Sequence, residues 1–137
     1  MLDHTSISVK DYDLSLKFYD ETLKILGYER LMTIDIPEGS VKVAGYGPAG
    51  RVRPMLWISP MGNESEDIGK ARGVHMAFSA PNSEAVAAWH AKCLELGGED
   101  NGAPGVRPEY HPGYFGAFIV DPSGWRIEAC FHEYKPK

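Results

Sequence analysis

Asp121-Pro122-Ser123-Gly124-Trp125-Arg126-Ile127-Glu128 is a turn that feeds a strand. Aspartate first, proline second and glycine fourth is the pattern of a type I turn. Trp125 to Cys130 then reads as a short strand, with Arg126, Glu128 and Cys130 on one face and Ile127, Ala129 and Phe131 on the other. A carboxylate in the middle of a closely packed strand is expensive unless something meets it. Taken alone, Glu128 reads as an ion-pair partner for Arg126 or Arg107. Its surroundings have to be read from the rest of the chain.

The chain opens with a strand over His4–Lys10, whose faces are His4, Ser6, Ser8 and Thr5, Ile7, Val9. Asp13 is a candidate N-cap for a helix from Leu14 to Leu26, with Leu16, Tyr19, Leu23 and Leu26 along one stripe and Phe18, Thr22 and Ile25 widening it. Gly27 is placed to end it. Strands are expected over Tyr28–Ile34, Val41–Tyr46 and Val52–Ser59, with turns at Gly39 and at Gly47 to Gly50. Residues 60–72 have the composition of a linker.

The plan then restarts. Val74–Ala80 reads as a strand, and Asn82 or Ser83 caps a helix to Leu96, with Val86, Trp89, His90, Cys93 and Leu94 at helical spacing. Gly97-Gly98 ends the helix. A Gly/Pro-rich loop from Asn101 to Gly113 follows, with room for a short strand near Arg107, and Tyr114–Val120 and Trp125–Phe131 are the last strands. Gly27 lies 23 residues after His4, as Gly98 does after His75, so the halves repeat at an offset of 71, from position 4 to position 75. That offset takes Leu23 to Leu94, Phe18 to Trp89, Gly45 to Gly116 and Trp57 to Glu128. A register shared by several elements marks a duplicated unit. The expected fold is α+β: one domain over 1–137 of two βαβββ modules (about 1–59 and 73–134), forming a curled mixed sheet around a cavity with helices on its outer face.

Alternation says which residues would line that cavity. Ile7, Val9, Val74, Phe78, Ile127 and Ala129 should face the helices. The opposite faces carry His4, Ser6 and Ser8; His75, Ala77 and Ser79; Met55 and Trp57; Tyr114, Gly116 and Phe118; and Arg126, Glu128 and Cys130. Two histidines and one carboxylate among small neighbours form the ligand set of a reactive divalent metal with open positions. His90 and Cys93 read as helix packing residues, Cys130 as packing, and His132 as exposed beyond the last strand.

Composition narrows the remaining classes. A chain of 137 residues is long enough to bury a real core. A formal net charge of −5 with no basic block argues against nucleic acid or an anionic membrane as main partner. The cysteines Cys93 and Cys130 make no disulfide framework and no CxxC pattern, which suits a reducing cytoplasm. No apolar run approaches membrane-spanning length, and the N-terminus enters a structured pattern at once, leaving no room for a signal peptide.

The chain resembles the vicinal oxygen chelate superfamily of glyoxalase I, fosfomycin-resistance, bleomycin-binding and extradiol dioxygenase proteins. The resemblance is carried by Asp3–Val9, Ser15–Tyr19 with Leu26-Gly27-Tyr28, Gly73–Phe78 and Gly113–Glu128, so it spans nearly the whole chain. It implies one divalent ion (Fe, Mn, Ni or Zn) held by His4, His75 and Glu128. A fourth ligand found in glyoxalase I would fall at Trp57, which cannot ligate, so lactoylglutathione lyase activity itself is not implied. The mechanism it implies is chelation of two neighbouring substrate oxygens, with the ion stabilising an enediolate, alkoxide or semiquinone-like species. Glu128, Tyr114 and His111 are then candidate catalytic residues, and Trp57, Met55, Arg107, Tyr110 and Phe118 candidate substrate contacts. The loop from Tyr110 to Tyr114 reads equally as aromatic packing beside prolines.

Three functions remain open: a glyoxalase-type lyase or isomerase, an Fe(II) extradiol dioxygenase, and a non-catalytic small-molecule binder such as a bleomycin resistance protein. A cytoplasmic homodimer is expected, with the site built within one chain or across two.

Overall fold

The computed structural model describes residues 2–37, 41–61 and 73–136. The chain falls into two units, Met1–Glu66 and Asp67–Lys137. Each is a βαβββ module. The first runs β1 (Thr5–Val9), α1 (Tyr12–Ile25), β2 (Tyr28–Ile36), β3 (Val41–Pro48) and β4 (Leu56–Pro60). The second runs β5 (His75–Ser79), α2 (Ser83–Glu95), β6 (Glu99–Val106), β7 (Phe115–Val120) and β8 (Arg126–Phe131). Each module forms its own four-stranded sheet, in the orders β1-β4-β3-β2 and β5-β8-β7-β6. The outer and inner strands β1/β4 and β5/β8 pair in parallel and the others antiparallel, because the helix carries the chain back between the first two strands. The α+β class and the paired modules agree with the sequence; the sheet is two four-stranded sheets rather than one.

The helices are organised by their buried stripes. The N-cap of α1 is Asp11, not Asp13: its carboxylate accepts from the Leu14 amide at 2.9 Å. Starting there puts Tyr12 on the stripe with Ser15, Phe18, Tyr19, Thr22 and Leu23, while Asp13 sits in the first turn, where a negative charge suits the helix dipole. Asn82 caps α2, accepting from the Ala85 amide at 2.8 Å. The residues α2 buries are Val86, Trp89, His90 and Cys93, which stand 71 positions after Ser15, Phe18, Tyr19 and Thr22. The match ends there, since Leu23 is 1% exposed and Leu94 40%. Gly27 and Gly97 take left-handed φ values of 85° and 93° after the two helices. The second terminator is therefore Gly97 rather than Gly98, because α2 has 13 residues where α1 has 14.

Strand parity follows the alternation. Ile7, Val9, Leu56 and Ile58 are buried in the first module, and Ala117, Ile119, Ile127 and Ala129 in the second. Helix α1 lies against β2 and β4, and α2 against β6, β7 and β8. Burying a large side chain such as Phe18 or Trp89 stabilises by about 1.5–3 kcal/mol, so these interfaces carry the modules.

Several boundaries differ from the sequence reading. Val74 precedes β5 and is exposed. Strand β4 starts at Leu56, because the Arg51 amide closes a turn onto Pro48 ahead of it. The stretch read as a loop with a short strand near Arg107 is instead the eight-residue strand β6, with register breaks between Asp100 and Gly102 and between Gly102 and Gly105. On the third strand the repeat also slips: Gly45 faces Trp57, whereas Glu128 faces Phe118 and Gly116 faces Cys130, so the offset there is 73, from 45 to 118. The linker expected over 60–72 and the turn at Gly39 lie outside the described residues, apart from Pro60 and Met61. Among the described residues no helix is long and apolar enough to cross a membrane.

Candidate functional site

The Asp121 turn sets β8 in place. Gly124 donates its amide to the Asp121 carbonyl at 2.9 Å, and the Asp121 carboxylate accepts from the amides of Ser123 (2.9 Å) and Trp125 (2.7 Å). Gly124 has φ 104°, the left-handed residue that closes a type I turn into a hairpin. From that anchor β8 runs between β5 and β7, in the middle of its sheet. Glu128 is consequently 3% exposed and flanked by Ala77 on one side and Phe118 on the other.

Both carboxylate oxygens are engaged. His75 donates from Nε2 to Oε2 at 3.2 Å, and the Tyr114 hydroxyl donates to Oε1 in a short hydrogen bond. Gly116 makes the room: a Cβ there would lie 3.0 Å from the Tyr114 ring and 3.2 Å from Oε1. Burial first, and then the bond to Glu128, push the Tyr114 phenol well above its usual value, so it keeps its proton. Its hydroxyl also meets Cys130, whose thiol burial raises. His75 is half exposed and lies edge-on to Phe118, with ring centroids 6.5 Å apart.

The loop before β7 frames this face. The Arg107 guanidinium donates to the carbonyls of Ala103 (2.8 Å) and Val106 (3.2 Å) and lies 5.7 Å from the Phe118 ring centre. Gly105 leaves it that place, since a Cβ would come 2.9 Å from Nη1. The Tyr114 ring stands perpendicular to Tyr110, His111 and His132, at centroid distances of 5.1, 5.3 and 5.0 Å. His111 bonds Pro112 O through Nδ1 (2.7 Å) and His132 Nδ1 through Nε2 (2.9 Å). The second module thus carries His75, Glu128 and Phe118 on neighbouring strands, with Arg107, Tyr110, His111 and Tyr114 on the segment before β7.

The remaining candidates belong to the first module. His4 donates from Nδ1 to the Asp3 carboxylate at 2.7 Å, and that bond holds the Asp3 carboxyl below its ordinary range. Trp57 is half-buried between Ser6 and Gly45, where a Cβ on residue 45 would press within 2.9 Å of the indole. Met55 lies outside the strand, half exposed, on a recess of about 400 Å³ shared with Leu2, Asp3, Arg51 and Arg53. His90 is a packing residue after all, tied to Asp100 at 2.9 Å.

Metal ligation can be tested on the donors present. Two ligands about 2.1 Å from one ion at a right angle stand roughly 3 Å apart. His75 Nε2 and Glu128 Oε2, at 3.2 Å, fit that spacing. A histidine braced by a carboxylate, as His4 is by Asp3, is the usual outer support of a metal-binding imidazole. Among the described residues no three His, Cys, Asp or Glu side chains converge on one point. The sequence reading missed Asp3, which its adjacency to His4 signals, and His132, whose contact with His111 spans 21 positions and leaves no local mark.

Comparison with known proteins places this geometry. A protein from Synechocystis sp. (strain ATCC 27184 / PCC 6803 / Kazusa) named probable lactoylglutathione lyase is 33% identical over 127 residues, covering 91% of this chain and 90% of its own. A glyoxalase/bleomycin resistance protein from Albidiferax ferrireducens T118 superposes with a TM-score of 0.74 at 25% identity, over 93% of this chain and 96% of that one. The trypanothione-dependent glyoxalase I of Leishmania major gives 0.63 at 29% identity, over 94% and 84%. The sequence pattern of one family matches residues 1–129, and the chain therefore belongs to the Glyoxalase/Bleomycin resistance protein/Dioxygenase superfamily.

Proposed function

We propose that this protein is a metal-dependent lyase or isomerase of glyoxalase type, acting on a small substrate with two neighbouring oxygens. The observation that supports this reading is Glu128, a buried mid-strand carboxylate with His75 Nε2 at 3.2 Å from its Oε2. His4, of the same chain or of a second copy, is proposed as the third ligand. The lyase name of the Synechocystis relative and the glyoxalase I name of the Leishmania enzyme favour this class over the others in the superfamily.

A bound divalent ion (Fe, Mn, Ni or Zn) would supply Lewis-acid polarisation of the substrate oxygens. The chain's own residues do the rest. Glu128 and His75 hold their positions on paired strands rather than loops, which keeps these two donors fixed relative to each other. Tyr114 keeps its proton and works as a hydrogen-bond donor, not as a base. His111 has both ring nitrogens engaged and orients the loop, whereas an acid/base role would need a free nitrogen. Phe118, Trp57 and Met55 offer apolar contact to a substrate, while Arg107 and Tyr110 offer donors at the exposed side.

Trp57 is the observation behind a second reading. A His-His-Glu set without a fourth protein ligand also suits an extradiol-type Fe(II) dioxygenase. A small-molecule binder without catalysis is the third. Elemental analysis of the untagged protein followed by a substrate panel separates them. About one equivalent of divalent ion, lost in His75→Ala, with turnover of a 2-oxoaldehyde adduct is the expected result. Iron with oxygen uptake on catechols selects the dioxygenase, and no ion with ligand binding intact in His75→Ala overturns both enzyme readings. A cytoplasmic homodimer is proposed with it; a monomeric mass for the metal-loaded protein overturns a site shared between chains.

A further inference from the structure

His132 lies past β8, exposed, and the proposed chemistry makes no use of it. It is nevertheless tied into a chain of polar contacts. Pro112 O can only accept, so His111 Nδ1 carries a proton. The Nε2 of the same ring shares a hydrogen bond of 2.9 Å with His132 Nδ1. His132 Nε2 in turn faces the Cys130 thiol at 3.7 Å. A chain of polar contacts thus runs from Cys130 through His132 and His111 to Pro112.

Geometry gives this chain a task. The planes of the two imidazoles lie 13° from parallel with their centres 5.2 Å apart, and the Tyr114 ring stands at 81° to one and 87° to the other. The backbone joins the same two segments, with Tyr134 donating its amide to Gly113 O at 2.9 Å. Tyr114, so held, occupies Glu128 Oε1 and leaves Oε2 toward His75. We propose that His132 is a positioning residue: latched to His111, it sets the Tyr114 ring, and through it presents Glu128 by a single oxygen. The part that concerns ligation rests on the metal reading above; the part that concerns Tyr114 does not.

The test compares His132→Ala, His132→Asn and Tyr114→Phe in the full chain. Asparagine keeps a donor near the Nδ1 position without the ring. The first readout is metal-free: the Tyr114 ring and hydroxyl resonances in NMR spectra, assigned by their loss in Tyr114→Phe. His132→Ala should shift them and His132→Asn should return them toward wild type. The second is Co(II) titration followed by visible absorption. Loss of an outer partner of a ligand weakens metal affinity by about 10–100-fold, so His132→Ala should weaken Co(II) about 10-fold and move the spectrum toward that of Tyr114→Phe. Unchanged Tyr114 resonances in a folded His132→Ala protein overturn the proposal. If they move but wild type takes up no Co(II), the positioning role stands and the metal reading falls.

Discussion

Strands β1 and β4 of the first module and β5 and β8 of the second pair in the same register, position for position at an offset of 71. Ser6 faces Trp57 in one, and Ala77 faces Glu128 in the other. The backbone has been copied while the displayed chemistry has diverged. Each outcome needed its own surroundings. The indole of Trp57 lies where Gly45 has no side chain, and the carboxylate of Glu128 lies where Gly116 admits Tyr114. The two-residue slip of the third strand brings Phe118, rather than Gly116, opposite Glu128. A duplicated frame thus tolerates a buried carboxylate in one copy and an indole in the other, provided the neighbour across the ladder changes with it.

The deepest test of the equivalence is in the cores. Phe18→Ala and Trp89→Ala should each cost about 3–5 kcal/mol in urea unfolding, since both side chains are fully buried against their sheets. A loss below about 1 kcal/mol at either would break the pairing of the helices. Next comes the site itself. Glu128→Ala should lower divalent-metal affinity at least about 100-fold by calorimetric titration, the upper end of what losing only an outer partner costs. Trp57→Ala should leave that affinity within a few-fold, and an equal loss would mean that the position of Trp57 bears on the ligation as directly as that of Glu128.

Glycine-to-alanine changes sharpen the difference in packing. Gly45→Ala should destabilise by about 1–3 kcal/mol, because the new methyl meets Pro54 and the Trp57 ring. Gly116→Ala meets its neighbours less tightly, so it should cost less stability while shifting the Tyr114 resonances. The helix caps should behave alike: Asp11→Ala and Asn82→Ala are expected to cost about 1 kcal/mol each in thermal unfolding. The smallest effect concerns pH. The bond from His90, and then the Gly102 amide, hold the Asp100 carboxyl below its ordinary range. A depressed folded value means that this stabilisation is complete above the unfolded carboxylate pKa and is lost as pH falls through the folded one. Acid unfolding of Asp100→Asn should lack that part of the slope.

Much of this was legible along the chain. Alternation placed Glu128, Cys130 and Arg126 on one face, and spacing exposed the duplication and Trp57 as the twin of Glu128. Both helices were legible too, because a buried stripe at helical spacing repeats locally. Cap choice was not, since Asp11 and Asp13 are chemically identical and the burial of Tyr12 selects between them. Strand β6 was hidden by its Asn, Gly and Pro content; β7 supplies the ladder that overrides poor strand propensity.

Local periodicity carries the face on which a side chain sits, and that is why the repeat and the ligand candidates could be read from residue order. It does not carry which groups meet. His75 and Glu128 are 53 positions apart, His111 and His132 are 21, and their hydrogen bonds exist only because neighbouring strands adopt one register. The folded arrangement alone assigns Oε1 of Glu128 to Tyr114 and Oε2 to His75, turning a buried carboxylate into an oriented one.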